Sequence, residues 1–332
     1  MKKETLSTIA ARVGVSMTTV SRVLKGKSDK YRISKRTAAL VTAEAKRCGY
    51  SSGAAAQNLR NVKSRTIGVL LPSVANPYFA DIASAIIAEL NKKGFTAIVV
   101  DTMENEERLS EMARDLLTRQ VEGIIAVPCG NNPVPLERVS QQIPVVLTDR
   151  YYEGSPLPYV TTNNRLGSFD ICTLLLNSGH RRIACIQGAS DSMPNLERIK
   201  GYREAMDSFD NGENCIIVGN EFSVLNGYLE TKLLLSGPSR PDAIFALSNT
   251  IMLGSLKAIR EAGLTIPGDI AIASFDNNLY MDYLTPAITR VSQPTDDMSK
   301  LTVKILLDRI NGTAQGSSQI KLSPTIIFGK SI

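Results

Sequence analysis

The chain has one histidine in 332 residues, no tryptophan and only 5% aromatic residues. A Ser-His-Asp or Cys-His site would have to be built on His180. That residue sits in Ser178-Gly179-His180-Arg181-Arg182 with no nucleophile close in sequence, so it reads as a structural loop histidine and no catalytic residue is assigned. Cys48, Cys129, Cys172, Cys185 and Cys215 are scattered, odd in number and include no C-x-x-C pair. This pattern disfavours disulfide staples and a zinc site alike, leaving reduced thiols and no metal. The phosphate loop G-x-x-x-x-G-K-[ST], the zinc motif H-E-x-x-H and a G-x-G-x-x-G after the first strand are all missing, and no cofactor is expected. There is no run of about 18 apolar residues, and MKKETLSTIA is amphipathic rather than signal-like. The expectation is a soluble, cytoplasmic protein that is not an enzyme and needs no membrane.

Acid is missing from one stretch in particular, between Glu4 and Asp29. The first 65 residues carry 15 Lys and Arg against Glu4, Asp29 and Glu44, a net of +12. The remainder carries 23 basic and 29 acidic residues, a net of −6. A small basic front end on a large, mildly acidic globule points to a nucleic-acid reader joined to something that regulates it.

In the front end, Leu6, Ile9, Ala10 and Val13 recur at helical spacing behind Thr5, a natural N-cap. Gly14-Val15 breaks the run, and Ser16 can cap a second helix from about Met17 to Lys25. On a helical wheel Val20, Val23 and Leu24 share one side. Met17, Thr18, Ser21, Arg22 and Lys25 share the other, a short, polar, basic face suited to a recognition helix. Ser34-Lys35-Arg36-Thr37 opens a third helix with Val41, Ala45 and Cys48 inward and Gly49 at its end. Residues 51–65 are small, polar and basic, and by composition alone would serve as a flexible linker.

From Thr66 onward strands and helices alternate. Ile67–Leu71, Ala97–Val100, Gly123–Val127, Val145–Leu147, Ile183–Ile186, Ile216–Val218, Ala243–Leu247 and Ile270–Phe275 read as buried strands. Amphipathic stretches such as Tyr78–Lys93, Leu166–Ser178 and Thr250–Glu261 lie between them. This is the signature of parallel sheets covered on both faces. The strands are too many for one comfortable sheet, which implies two lobes with a cleft at the carboxyl ends of the strands. Asp276, a carboxylate directly after the apolar run IAIASF, has the strongest claim to a place in that cleft.

The front end resembles the lactose-repressor family of bacterial transcription regulators. The resemblance is carried by Thr5-Leu6-Ser7-Thr8-Ile9-Ala10, Gly14-Val15-Ser16, Thr19-Val20-Ser21-Arg22-Val23-Leu24 and Gly49-Tyr50. It continues through Asn76-Pro77-Tyr78-Phe79, Asp149-Arg150, Gly179-His180-Arg181-Arg182-Ile183, Glu197-Arg198-Ile199-Lys200-Gly201-Tyr202 and Ser274-Phe275-Asp276. It implies an α/β protein with a three-helix helix-turn-helix headpiece and a two-lobed core like a periplasmic binding protein. The implied domains are a headpiece over 1–50, a hinge over 51–65 and an effector-binding, dimerising core over 66–332. The first lobe would span about 66–162 and 292–323, the second about 163–291 and 324–332.

By that resemblance Met17, Thr18 and Arg22 would read base edges of double-stranded operator DNA, with Thr19 and Ser21 on phosphates. Leu59 and Arg60 match the position where a hinge helix presses a leucine into the minor groove. Tyr78, Phe79 and Asp149 would line an effector pocket from the first lobe, and Arg198, Phe222, Asn249 and Asp276 from the second. Phe79 and Phe222 read equally well as core, and Arg198 as a partner of Glu197 or Glu204. Asn163 and Asn249 stand where the family commonly has Asp, which speaks against a cationic effector. The implied function is a repressor controlled by a small molecule, a sugar by pocket chemistry or alternatively a purine or other metabolite. One rival, a sugar-binding transport protein, would need an export signal in place of the basic helix-turn-helix, and the other, a sugar-modifying enzyme, is disfavoured by the lone His180 and the missing motifs. Two-fold operators imply a homodimer, and with no leucine heptad tail before Ile332 a dimer is expected over a tetramer.

Overall fold

The computed structural model describes residues 5–24, 26–48, 64–209, 212–314, 316 and 318–332. The chain divides into two compact units, Met1–Ser64 and Arg65–Ile332.

The first unit holds α1 (Leu6–Val13), α2 (Met17–Leu24) and α3 (Lys35–Arg47). Thr5 and Thr8 cap α1 reciprocally, the Thr8 N–H donating to Thr5 Oγ1 and the Thr5 N–H to Thr8 Oγ1. Gly14 closes the helix at φ 70°, a left-handed turn that lets α2 begin three residues later. Ser16 Oγ then accepts the Thr19 N–H at 3.1 Å, and Ser34 Oγ the Thr37 N–H at the start of α3. Ile9, Val20 and Val41, one from each helix, are fully buried and pack with Ala10, Val23 and Ala45. So few buried side chains make a core that is marginal by itself.

In the second unit the described residues form two sheets. The first contains β1 (Thr66–Leu71), β2 (Thr96–Asp101), β3 (Gly123–Ala126), β4 (Val145–Thr148), β5 (Tyr159–Thr162) and β11 (Gln319–Leu322). The second contains β6 (Ile183–Ile186), β7 (Ile216–Val218), β8 (Ala243–Ala246), β9 (Ala271–Phe275), β10 (Thr289–Ser292) and β12 (Thr325–Ile327). Their orders are β11-β5-β4-β3-β1-β2 and β12-β10-β9-β8-β6-β7, and every pairing is parallel except β10 with β12. Both faces of each sheet are covered by apolar clusters, which is why the central strands are continuous apolar runs. Four strands fall outside those runs: β5, β10, β11 and β12 are three or four residues long and mix polar with apolar side chains.

The two lobes repeat one winding, so β4 and β9 are equivalent, as are the residues that follow them, Asp149 and Asp276. The chain passes between the lobes three times: from β5 to the helix Asn164–Asn177, from β10 to the helix Thr295–Ile310, and from β11 to β12. Thr295–Ile310 returns to the first lobe, burying Met298, Val303 and Leu306 there. The carboxyl ends of both sheets therefore face one cleft.

Candidate functional site

On α2, Val20 and Val23 point into the headpiece core, whereas Met17, at 55% relative exposure, Thr18 and Arg22 are exposed. Thr19 and Ser21 are half-buried beside them, and Thr19 Oγ1 lies 2.9 Å from Ser16 Oγ. The loop before α3 lays the Tyr31 ring 4.0 Å from the Arg22 guanidinium, a cation–π contact that restricts how Arg22 can point. Leu59, Arg60 and Lys25 lie outside the described residues.

In the core, the cleft closes on a small inner chamber of about 20 Å³, room for a single water. Tyr78, Phe79, Asp149, Arg198, Phe222 and Asp276 all line it. Asn249 stands one step behind: its N–H donates to Asp276 Oδ2 at 3.3 Å and its amide to Asn278 Oδ1 at 2.6 Å. Asn163 is a helix cap, accepting the Leu166 N–H at 3.2 Å, so its place in the pattern is structural.

Each wall has a local cause. Asn76 caps the helix Pro77–Lys92, with Pro77 preset for its first turn, and this points Tyr78 and Phe79 inward. Asp149 and Asp276 sit at φ 63° and 74°, left-handed positions that turn each carboxylate back over its sheet. Tyr78 donates to Asp149 Oδ1 at 2.6 Å. Glu197 pairs with Lys200 and Glu204 with Arg165, which leaves Arg198 turned inward. Arg198 donates to Asn164 Oδ1 and Leu247 O, stacks 3.7 Å from the Phe275 ring, and reaches Asp276 at 4.0 Å. A Cβ on Gly188 would stand 2.2 Å from the Phe222 ring, so only glycine there lets Phe222 lie over the chamber. Direct bonds join the lobes: Asn249 donates to Asn76 Oδ1 at 3.4 Å and Asn278 to Asp81 Oδ2 at 3.0 Å.

Burial pushes the Asp149 and Asp276 carboxyls above the usual carboxylate range. The Tyr78 hydroxyl and the Arg150 and Arg198 guanidiniums pull Asp149 back only in part, as Arg198 and Gln293 do for Asp276. The Tyr78 phenol is pushed up by burial and by both carboxylates, and the Arg198 guanidinium is lowered by burial.

Two groups escaped sequence reasoning, one lining the chamber and one bonded to a lining carboxylate. Arg150, next to Asp149 in a quoted motif, forms a bidentate pair with Glu104 at 2.7 and 2.8 Å and lies 5.4 Å from the Phe79 ring and 5.8 Å from the Phe222 ring. Gln293, in the second crossing, donates to Asp276 Oδ1 at 2.7 Å while its Oε1 has no hydrogen-bond partner among the described residues. The only signal for Gln293 was a polar residue between a short strand and a proline.

Residues 5–52 match the family described as bacterial regulatory proteins, lacI family, and residues 173–332 match a periplasmic binding protein-like domain. The transcriptional repressor PurR of Escherichia coli O139:H28 is 30% identical over 335 residues, covering 99% of this chain and 96% of its own. The chain belongs to the lacI family of bacterial regulatory proteins. Another relative, the ribose operon repressor of Escherichia coli K12, is 28% identical over 327 residues, covering 97% of this chain and 98% of its own. A lacI-family transcriptional regulator from Enterococcus faecium, solved with bound ribose, superposes with a TM-score of 0.73 at 27% identity, over 80% of this chain and 98% of that one. Like these lacI-family relatives, the chain is a DNA-binding transcription regulator, with a helical helix-turn-helix headpiece and an α/β, binding-protein-like core. Among the described residues no group of three or more His, Cys, Asp or Glu could hold a metal, and no helix is long and apolar enough to cross a membrane.

Proposed function

We propose that this lacI-family regulator is a homodimeric repressor whose effector is a compact sugar held between the lobes. The observation that carries the reading is the chamber itself, where Asp149, Asp276 and Arg198 converge beside Tyr78 and Phe79. Buried carboxylates and a guanidinium form charge-assisted bonds to hydroxyls, and an aromatic edge packs on the C–H face of a sugar ring. The ribose named for two of the similar proteins would enter only as the lobes part, since the closed chamber has room for a single water. A purine, which the PurR relative brings to mind, is supported less well. Tyr78 and Phe79 are tilted at 59° to one another, whereas a flat base is held best between parallel faces.

In the headpiece, Met17, Thr18 and Arg22 are the proposed base readers and Thr19 and Ser21 the phosphate contacts, with Leu59 and Arg60 in the minor groove. For the dimer, the helix Val224–Ser236 leaves Leu225, Leu229 and Leu233 exposed at i, i+4 and i+8. An apolar stripe of this kind suits a second copy of the same helix across a two-fold axis. Isothermal titration of the full chain with D-ribose and with hypoxanthine tests the effector. Binding of ribose, weakened by about 10- to 100-fold in Asp276→Asn, is expected; binding of hypoxanthine alone would overturn the sugar reading.

A further inference from the structure

Two direct hydrogen bonds cross between the lobes, and the residues of the shorter one, Asp81 and Asn278, do not line the inner chamber. Asn278 Nδ2 donates to the Asp81 carboxylate at 3.0 Å, a charge-assisted bond, and Asn249 Nδ2 donates to Asn76 Oδ1 at 3.4 Å. Both belong to one chain of bonds with a single consistent direction. Asn249 Oδ1 accepts the Thr250 N–H at 2.7 Å, so its amide nitrogen is free to donate to Asn278 Oδ1 at 2.6 Å as well as to Asn76. Asn278 accepts there through its oxygen and so presents its own amide nitrogen to Asp81. An ionised aspartate at 249 could donate neither bond, which accounts for the asparagine at that position.

Each end of the chain of bonds is fastened to its own lobe. Asp81 sits on the helix Pro77–Lys92, whose Ile82 and Ile86 are fully buried in the first-lobe core. Asn76 caps the same helix, accepting the Tyr78 N–H at 3.1 Å. On the other side Asn278 is buried, and the loop that carries it is pinned by the buried Arg290. That guanidinium donates to Asn277 Oδ1 at 2.7 Å, Ile288 O at 2.9 Å and Asp282 Oδ1 at 2.7 Å. Asn249 is held by Asp276, which accepts its backbone N–H. None of Asn76, Asp81, Asn249 and Asn278 lies in a crossing between the lobes. With both ends anchored, parting the lobes breaks these bonds.

We infer that Asp81 and Asn278 form a clasp that sets the effector affinity of this chain without touching the effector. While the clasp is made, the chamber has room for a single water. A ligand therefore enters only after the bonds from Asn278 to Asp81 and from Asn249 to Asn76 are broken. The apparent affinity is then the intrinsic affinity multiplied by the fraction of molecules whose lobes are parted. Asn278 is a positioning residue in this scheme. It is tied through Asn249 to Asp276, and through Asp81 to the helix that carries Tyr78 and Phe79. The effect on affinity rests on the reading of the cleft as a sugar site; the clasp itself does not.

The test compares four forms of the full chain: wild type, Asp81→Ala, Asn278→Asp, and the exchanged pair Asp81→Asn with Asn278→Asp. Asp81 is exposed, so its truncation tests the clasp whether or not the change at the buried Asn278 is tolerated. Asn278→Asp sets two carboxylates against each other, and the exchanged pair restores one donor and one acceptor across the cleft. The first readout needs no ligand. It is hydrogen exchange at the Asn249 backbone N–H, which bonds to Asp276 within the second lobe and is uncovered when the first lobe moves away. Exchange is expected to quicken on the order of 5-fold in both single variants and to return to within about 2-fold of wild type in the exchanged pair, with the amides of β3 and β8 unchanged. An unchanged rate in Asp81→Ala, or an exchanged pair that stays fast, overturns the clasp. The second readout is titration with D-ribose, expected to bind about 3- to 10-fold tighter to Asp81→Ala and with near wild-type affinity to the exchanged pair. Equal or weaker binding by Asp81→Ala overturns the control of affinity. Should D-ribose bind none of the four, the sugar reading falls and hydrogen exchange alone judges the clasp.

Discussion

Tyr78 donates its phenolic hydrogen to Asp149 at 2.6 Å, and both groups are buried in the cleft wall. A sugar hydroxyl reaching Asp149 competes with that bond. Tyr78→Phe removes the donor and leaves a buried carboxylate short of a partner, a loss of about 1–3 kcal/mol to the free protein. The same change frees Asp149 for the ligand. The variant is expected to melt earlier when free and to show a larger ribose-induced rise in Tm than the wild type, measured by differential scanning calorimetry.

Asp149 and Asp276 make stability depend on pH in an unusual direction. Their folded-state carboxyls titrate above the ordinary aspartate value because burial penalises the charge. Their contribution to stability is therefore full below the ordinary aspartate pKa and lost as pH rises through the raised values. Within that window, acidification steadies the core and weakens sugar binding. Asp276→Asn imitates the protonated form. It is expected to raise the Tm of the free protein by about 2–4 °C, the effect of about 1 kcal/mol in a domain this large, and to weaken ribose binding by about 10- to 100-fold as a charge-assisted bond is lost. Thermal melts from pH 4 to 8, wild type against variant, check both halves.

The helix-turn-helix was legible because its chemistry is local. Thr5, Gly14, Ser16 and Ser34 do at the helix ends what their side chains and backbone freedom dictate. Six of the eight apolar strands were legible because they are buried on both faces, whereas β2 and β7, read as buried too, are sheet edges and only partly covered. β5, β10, β11 and β12 were not, since strands flanking the lobe crossings carry mixed side chains whose role is set by neighbours distant in sequence. Much the same holds for the cleft. Asp276 announced itself as a charge after an apolar run, whereas Arg150 and Gln293 acquire meaning only through Glu104 and Asp276, partners that the fold and not the sequence sets beside them. Tyr31 lies in the loop before α3, and its stacking on Arg22 depends on a turn that sequence spacing does not specify.

That stacking gives a prediction for DNA. Tyr31→Ala removes a cation–π contact worth about 0.5–1 kcal/mol, so specific operator affinity is expected to fall by about 2- to 5-fold with the salt slope unchanged. Arg22→Lys keeps the charge but loses the planar fork, and is expected to cost about 1–3 kcal/mol at a single base pair. Competition binding across operator variants at several salt concentrations separates the two effects.

The exposed leucines make the dimer testable without DNA. Leu225→Lys combined with Leu229→Lys places like charges on both copies of a two-fold interface. Sedimentation of the variant is expected to show a monomer at concentrations where the wild type is a dimer, with the α/β circular-dichroism spectrum intact.

The most direct measurement is a two-way linkage experiment on the full chain: operator affinity with and without saturating ribose, and ribose affinity with and without saturating operator. Two sites coupled through one closing cleft must change each other's affinity by the same factor, about 5- to 150-fold for a coupling of 1–3 kcal/mol. The factor should be equal in both directions and vanish in Asp276→Asn. Operator affinity that is the same with and without bound ribose would contradict control through the inter-lobe cleft.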